Sequence, residues 1–447
     1  MPEDGVTGLR RALGTFDLTM IAIGSTIGSG IFLTPASIAA ALQEPFWILT
    51  VWVLGGVMTL AGALTFAELS AMMPRAGGVY AFLSEAYGGL AGFLYGWAYF
   101  LVVNTGGIAA LAIAFATYAG HFIPLDAAGT TAVAIAGILL VTVVNILGVK
   151  AGGVFAGIFT LLKLAAIAVI IAIGLAFGSQ PLSAASLDAG NTPSGFAGAL
   201  AVAMVGVLWS CGGWQHATFT AAEARNPERS LPIALGLGAL AVVVVYLLTV
   251  LAYMRLLPVA EMAGSARLAT DALATVVGQA GAGFVAGAIF ISTFGTTGIY
   301  TLTAPRIYFA MAADGLFFRS VARIHPRYQT PVVAIALQSV WAILLIVLWG
   351  TFESLISYVV FTDWIFFGLA AFSVILFRRR APDASRPYRV HGYPFTPLLF
   401  VAVSGWFVVS TLMERPAQAL AGLGFLALGV PVYAFWKRSH QPSKAGT

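Results

Sequence analysis

The chain has 447 residues, 60% of them hydrophobic and 9% charged, with a mean hydropathy of +0.94. Soluble domains carry about 25% charged residues, so a soluble fold is excluded and an all-α integral membrane protein is expected. The net charge of +5 does not imply nucleic acid, because the cations gather at one set of helix ends.

Taken in order, the apolar runs fall at 16–40, 46–72, 90–120, 130–149, 152–177, 195–221, 231–254, 281–311, 331–349, 353–377, 396–413 and 417–436. Each is near the roughly 20 residues that a spanning helix needs, so twelve transmembrane helices are expected. A short interfacial helix is predicted within 73–89, and a partly helical loop at 258–280. The polar first ten residues predict no cleavable signal peptide. Of the 22 Lys and Arg residues, 18 lie on the side of the N-terminus. Three (Arg255, Arg267, Arg415) lie opposite, and Lys163 lies within the fifth run. The positive-inside rule then puts both termini in the cytoplasm, for a multi-pass protein of the inner (cytoplasmic) membrane.

Two runs are interrupted. Gly24-Ser25-Thr26-Ile27-Gly28-Ser29-Gly30 makes poor helix inside the first. Trp209-Ser210-Cys211-Gly212-Gly213-Trp214 interrupts the sixth. A break within a bilayer persists only where protein, water or a ligand satisfies the freed backbone groups. Breaks at matching positions five helices apart point to a five-plus-five inverted repeat with a midplane site and discontinuous helices 1 and 6. The expected organisation is an N-terminal segment (1–15), a first repeat (16–190), a second repeat (191–380), two extra helices (381–437) and a tail (438–447). Gly24 and Gly28 also fit a helix-packing pattern. A phosphate loop is excluded, since no Lys-Ser/Thr follows Gly30. The half-helix starting near Ile31 offers N–H groups to a carboxylate, and the one ending near Ser210 offers carbonyls to an ammonium. Ser25, Thr26, Ile27, Gly28, Ser29, Gly30, Trp209, Ser210 and Gly212 are thus the candidate substrate-binding residues, for a zwitterionic amino acid.

The stretch from Gly24 to Pro35 resembles the first-helix signature of the amino acid–polyamine–organocation transporters. Phe66 to Tyr80 is similar to their second-helix signature, and Gly212-Gly213-Trp214 with Glu223 to Pro232 to their sixth-helix region. Arg386 to Val390 with Tyr393-Pro394 resembles the loop after helix 10 in the L-amino acid transporter branch. The resemblance implies the inverted-repeat fold, alternating access and amino acid transport. Lys163, in the middle of helix 5, is expensive to bury and is expected to be functional. The resemblance implies that it replaces a sodium ion bridging the first break and helix 8, where Thr293, Thr296 and Thr297 are nearest. Its low-dielectric setting also permits a proton-coupling role. The resemblance makes Trp209 an aromatic gate; ordinary packing is the alternative.

Asp363 is the one acid deep in a span. It reads equally as a gate contact or as a contact to a polar substrate side chain. Glu68, Glu85, Glu223, Glu228, Asp314 and Asp17 read as structural or inward-gate salt bridges at the inner helix ends, and His216 as a hydrogen-bonded structural histidine, with a protonation site as the alternative. The break carries no acid, which favours a neutral substrate. The expected function is sodium-independent exchange of neutral L-amino acids. A proton-coupled symporter and an amino-acid-sensing receptor are the alternatives. No metal, cofactor or enzyme constellation is expected: the five histidines are scattered and neither His-Glu-x-x-His nor Gly-x-Ser-x-Gly occurs. Eukaryotic members of the branch pair with a glycoprotein through an outer-loop cysteine. The single cysteine here, Cys211, lies within helix 6, so no disulfide-linked subunit and a functional monomer are expected.

Overall fold

A computed structural model describes residues 8–181, 195–349, 352–414 and 416–439. The expected boundary between the repeats at 190/191, Arg415 and most of the tail lie outside them. The described residues are helical, with one isolated bridge between Leu13 and Ala224.

The first run is a bent pair, α1 (Thr15–Thr26) and α2 (Gly30–Leu42), turning by 41° at the glycine stretch. α3 (Pro45–Met72) follows, opened by a proline whose missing N–H costs nothing in the first turn. The short α4 (Val79–Tyr87) falls within 73–89, where a short helix is expected. The third span combines α5 (Gly89–Ala98), a π turn at Tyr99–Val103 and α6 (Asn104–Ala119). Asp126 caps α7 (Ala127–Ile146) by accepting from Gly129 N at 2.7 Å. α8 (Val149–Phe177) carries Lys163.

The sixth run stops at Ser210: α9 (Phe196–Ser210) gives way to the single turn α10 (His216–Phe219). α11 (Pro227–Leu256) leads to the loop helices α12 (Val259–Gly264) and α13 (Leu268–Val277). The eighth span is α14 (Gln279–Thr303) continued by α15 (Pro305–Ala313). Then come α16 (Val332–Trp349), α17 (Phe352–Arg380), α18 (Phe395–Glu414) and α19 (Pro416–Ser439).

Among the described residues nine helices are long and apolar enough to cross a membrane, or ten with the bent α1–α2 pair. α9 and α16, at the sixth and ninth expected spans, are apolar but shorter. The helices form an inner and an outer set. The windows of α3, α5–α6 and α14–α15 are 61%, 67% and 67% buried, against 28% for α7, α8 and α18 and 22% for α19. Helices five spans apart pack on one another: α2 on α9, α3 on α11, α6 on α14 and α7 on α16.

The end of the bundle where α1 begins is closed. Ala12 N and Leu13 N both donate to Glu223 O at 2.9 Å, and Arg225 N donates to Leu13 O at 2.9 Å. Beside them the buried Arg306 grips Glu223 through two bonds of 2.7 and 2.8 Å. Arg378 holds Glu68 the same way, at 2.9 and 2.7 Å. Val390 N and Arg386 complete the shell around Glu68. The sequence sets these acids near Arg75, Arg225, Arg229 and Arg306; of the four, Arg306 pairs with Glu223 and Arg75 with Glu85, the latter at 2.9 Å. The partners of Glu68, Arg378 and Arg386, come instead from α17 and the turn after it.

Candidate functional site

The first break is held from outside. Lys163, fully buried on α8, donates to Gly24 O (2.9 Å), Ile27 O (2.7 Å), Ser292 O (3.1 Å) and Thr296 Oγ1 (2.8 Å). Two of these four acceptors are carbonyls that the unwound stretch frees, so the ammonium does the work of missing helix bonds. From α14, Ser292 Oγ reaches Gly28 O at 2.9 Å. Of the helix 8 hydroxyls expected here, Thr296 reaches the junction. Thr293 and Thr297 turn back on their own helix, to Ile289 O at 2.7 Å and Thr293 O at 2.9 Å. Ser292 was not singled out from the sequence, although it lies one turn from Thr296 on the same face.

The two breaks touch. Gly213 adopts φ +122, and a Cβ there would stand 2.4 Å from Ser25 O. Ser25 Oγ lies 2.8 Å from Gly213 O, and Thr34 Oγ1 2.8 Å from Ser210 Oγ. A Cβ on Gly30 would lie 2.7 Å from Ser210 Oγ. Tyr246 of α11 sets its hydroxyl between Thr26 O (3.2 Å) and Ser210 O (3.1 Å). No local sequence signal marks Tyr246, because its role depends on where α11 packs.

A cavity of about 100 Å³ opens beside the junction. Ser25, Thr26, Gly28, Ser29, Gly30, Trp209, Ser210, Gly212, Thr296 and Asp363 line it. Ile27 does not: its side chain is buried and its carbonyl faces Lys163. Thr293 is not among the lining residues either. The N–H groups of Ser29, Gly30 and Ile31 find no backbone acceptor among the described residues, so they are available to an anionic group at the head of α2. The carbonyl end of α9 is more occupied, since Trp209 O accepts from Gly212 N at 3.2 Å and Ser210 O faces Tyr246.

His216 also lines the cavity, between Tyr99 OH (3.0 Å) and Thr303 Oγ1 (2.6 Å) and stacked on Tyr300 at 4.2 Å. Both ring nitrogens are engaged, as a structural histidine requires. Tyr99 opens the π turn of the third span, a distortion that recurs at functional sites. Cys211 is buried at 3% exposure. No cluster of metal-ligating side chains occurs among the described residues.

A bilayer-spanning helical bundle with two touching breaks around a buried cavity can be set beside known proteins. The family described as "Amino acid permease" matches residues 13–429. The chain belongs to that family, within the amino acid–polyamine–organocation superfamily. It is 31% identical over 434 residues to the serine/threonine exchanger SteT of Bacillus subtilis (strain 168), covering 96% of this chain and 98% of that one. It is 30% identical to the b(0,+)-type amino acid transporter 1 of Mus musculus, over 92% of this chain and 84% of that one. It is likewise 30% identical to the large neutral amino acids transporter small subunit 2 of Homo sapiens, over 99% and 84%. The permease is thus akin to amino acid transporters and exchangers along almost its whole length.

Proposed function

We propose that this permease exchanges neutral L-amino acids across the cytoplasmic membrane, without sodium, by alternating access. Twelve spans would form a five-plus-five inverted repeat with two extra helices and both termini in the cytoplasm. The contacts between helices five spans apart support that arrangement, because elements related by a two-fold axis meet across it. The substrate carboxylate would bind the open N–H groups at Ser29 to Ile31, and its ammonium the carbonyl side of the two breaks. The closed end around Glu223 and Glu68 would open when the cavity faces the cytoplasm.

The observation that carries the reading is Lys163. Its ammonium joins the first break to α14 through Gly24 O, Ile27 O, Ser292 O and Thr296 Oγ1. A fixed charge stands where a travelling cation would need oxygen ligands, so sodium has no role to fill. The serine/threonine exchanger is a relative whose name supports exchange as the mode of transport. Counterflow in proteoliposomes tests the proposal. Internal amino acid should accelerate uptake of external amino acid, equally in sodium and choline buffers. A strict sodium requirement would overturn the role given to Lys163.

A further inference from the structure

Asp363 is the one carboxylate among the residues that line the cavity, and no Lys or Arg lines it. Its Oδ1 is buried and has no hydrogen-bond partner. The cations that the fold buries are engaged elsewhere: Lys163 with four acceptors, and Arg306 with Glu223. Of the nearby hydroxyls, that of Tyr99 is taken by His216, and those of Tyr95 and Tyr300 make no hydrogen bond to Oδ1. A buried acceptor left open on a cavity wall in a membrane is costly unless a ligand meets it.

Its position separates it from the zwitterion contacts. α17 packs chiefly on α3, α4, α6, α18, α19 and the π turn. The groups proposed for the substrate's charged ends belong to α1, α2 and α9. The carboxylate therefore faces the cavity from a different wall, where a substrate's side chain would point once its carboxylate lies at the head of α2.

We infer that Asp363 is the residue that selects the substrate's side chain: it accepts a hydrogen bond from a terminal hydroxyl, amide or ammonium. Preferred substrates are amino acids ending in such a donor, and shape-matched apolar side chains are rejected because they leave Oδ1 unmet. This rests on the transport reading above: it keeps exchange across the membrane and extends the substrates from neutral side chains to those that end in an ammonium.

The experiment is competition counterflow in proteoliposomes with three shape-matched pairs: threonine with valine, serine with alanine, and lysine with norleucine. The wild-type chain should favour the donor-bearing member by about tenfold or more in at least one pair. Asp363→Ala should bring every such ratio below about threefold. Asp363→Asn keeps a neutral acceptor, so it should spare the hydroxyl pairs more than the lysine pair. A residue that only supports the wall would lower both members of a pair together and leave the ratio standing. Ratios near one in all three wild-type pairs, with exchange intact, would overturn the inference, even if the variants fail to fold. A preference that survives Asp363→Ala would overturn it as well. Loss of all amino acid exchange in the wild-type chain would instead strike the transport reading itself.

Discussion

At the first break, other helices take up the carbonyls that unwinding frees. Lys163 takes Gly24 O and Ile27 O, Ser292 takes Gly28 O, and Tyr246 approaches Thr26 O. At the second, the chain closes on itself. Cys211 N donates to Val207 O, Gly212 N to Trp209 O, Gly213 N to Gln215 Oε1 and His216 N to Gly213 O. One break is braced by a charge 139 residues away in sequence from Gly24. The other is written locally, in a turn that needs the positive φ of Gly213. A break braced from outside can change when its braces move, whereas a self-closed turn keeps its shape. On the alternating-access reading proposed above, the first break is the part of the site better able to couple substrate to a movement of α8 and α14.

Lys163→Ala breaks this contrast most severely. It removes a charged donor from four acceptors, and each such bond is worth about 1.5–3 kcal/mol. Exchange in proteoliposomes should fall by about 100-fold or more, with a lowered melting temperature in detergent. Unchanged exchange would mean that the first break stands without its brace. Gly213→Ala attacks the second break. Its Cβ would stand 2.4 Å from Ser25 O on a backbone held at φ +122, a strain of about 1–3 kcal/mol. Thermal denaturation should register it, and exchange should drop by about tenfold. Gly212→Ala is the control. Its Cβ would make ordinary contacts, at 3.4 Å or beyond, and the loss should be visibly smaller.

The same asymmetry explains what could be read in the sequence. Glycines in an apolar run report their own breaks, so both interruptions were legible as local composition. A lone lysine in a span is so costly that Lys163 announced itself. The family signatures carried the class of protein. What brings the pieces together left no such trace. Thr293 and Thr296 are equivalent as residue types, and only the rotation of α14 turns Thr296 and Ser292 toward the break while Thr293 bonds its own helix. Tyr246 looks like any tyrosine of an apolar helix until α11 is packed against α1. The partners of Glu68 come from α17 and from beyond it, over 300 residues away. Acids and arginines at helix ends were visible as a set, but not as pairs.

Tyr246→Phe sharpens the comparison because its hydroxyl approaches a carbonyl of each break. The change keeps the ring packed edge-on to Trp52 at 5.6 Å and removes a single donor. Stability should fall by about 1 kcal/mol. Exchange should fall about threefold to tenfold if the hydroxyl ties the breaks together. A lower melting temperature with unaltered exchange would make it a packing residue alone.

Gly28→Ala should disturb the fold least and for that reason isolates the cavity. Gly24 has no room, since its Cβ would meet Thr160 Oγ1 at 2.0 Å. Gly28 has room: the nearest atom to its Cβ would be Leu111 Cδ2 at 3.7 Å. The added methyl therefore enters the space where the substrate would lie, without straining the helices that hold it. Melting should change by less than about 0.5 kcal/mol, while the half-saturating substrate concentration rises about threefold. The rise should be steeper for larger side chains than for alanine, because the methyl removes volume and no hydrogen bond. An equal rise for all substrates would place the obstruction at the carboxylate, against the N–H groups of Ser29 and Gly30. Either outcome ties Gly28 to the cavity; no rise for any substrate would remove it from the site and leave its glycine to helix packing.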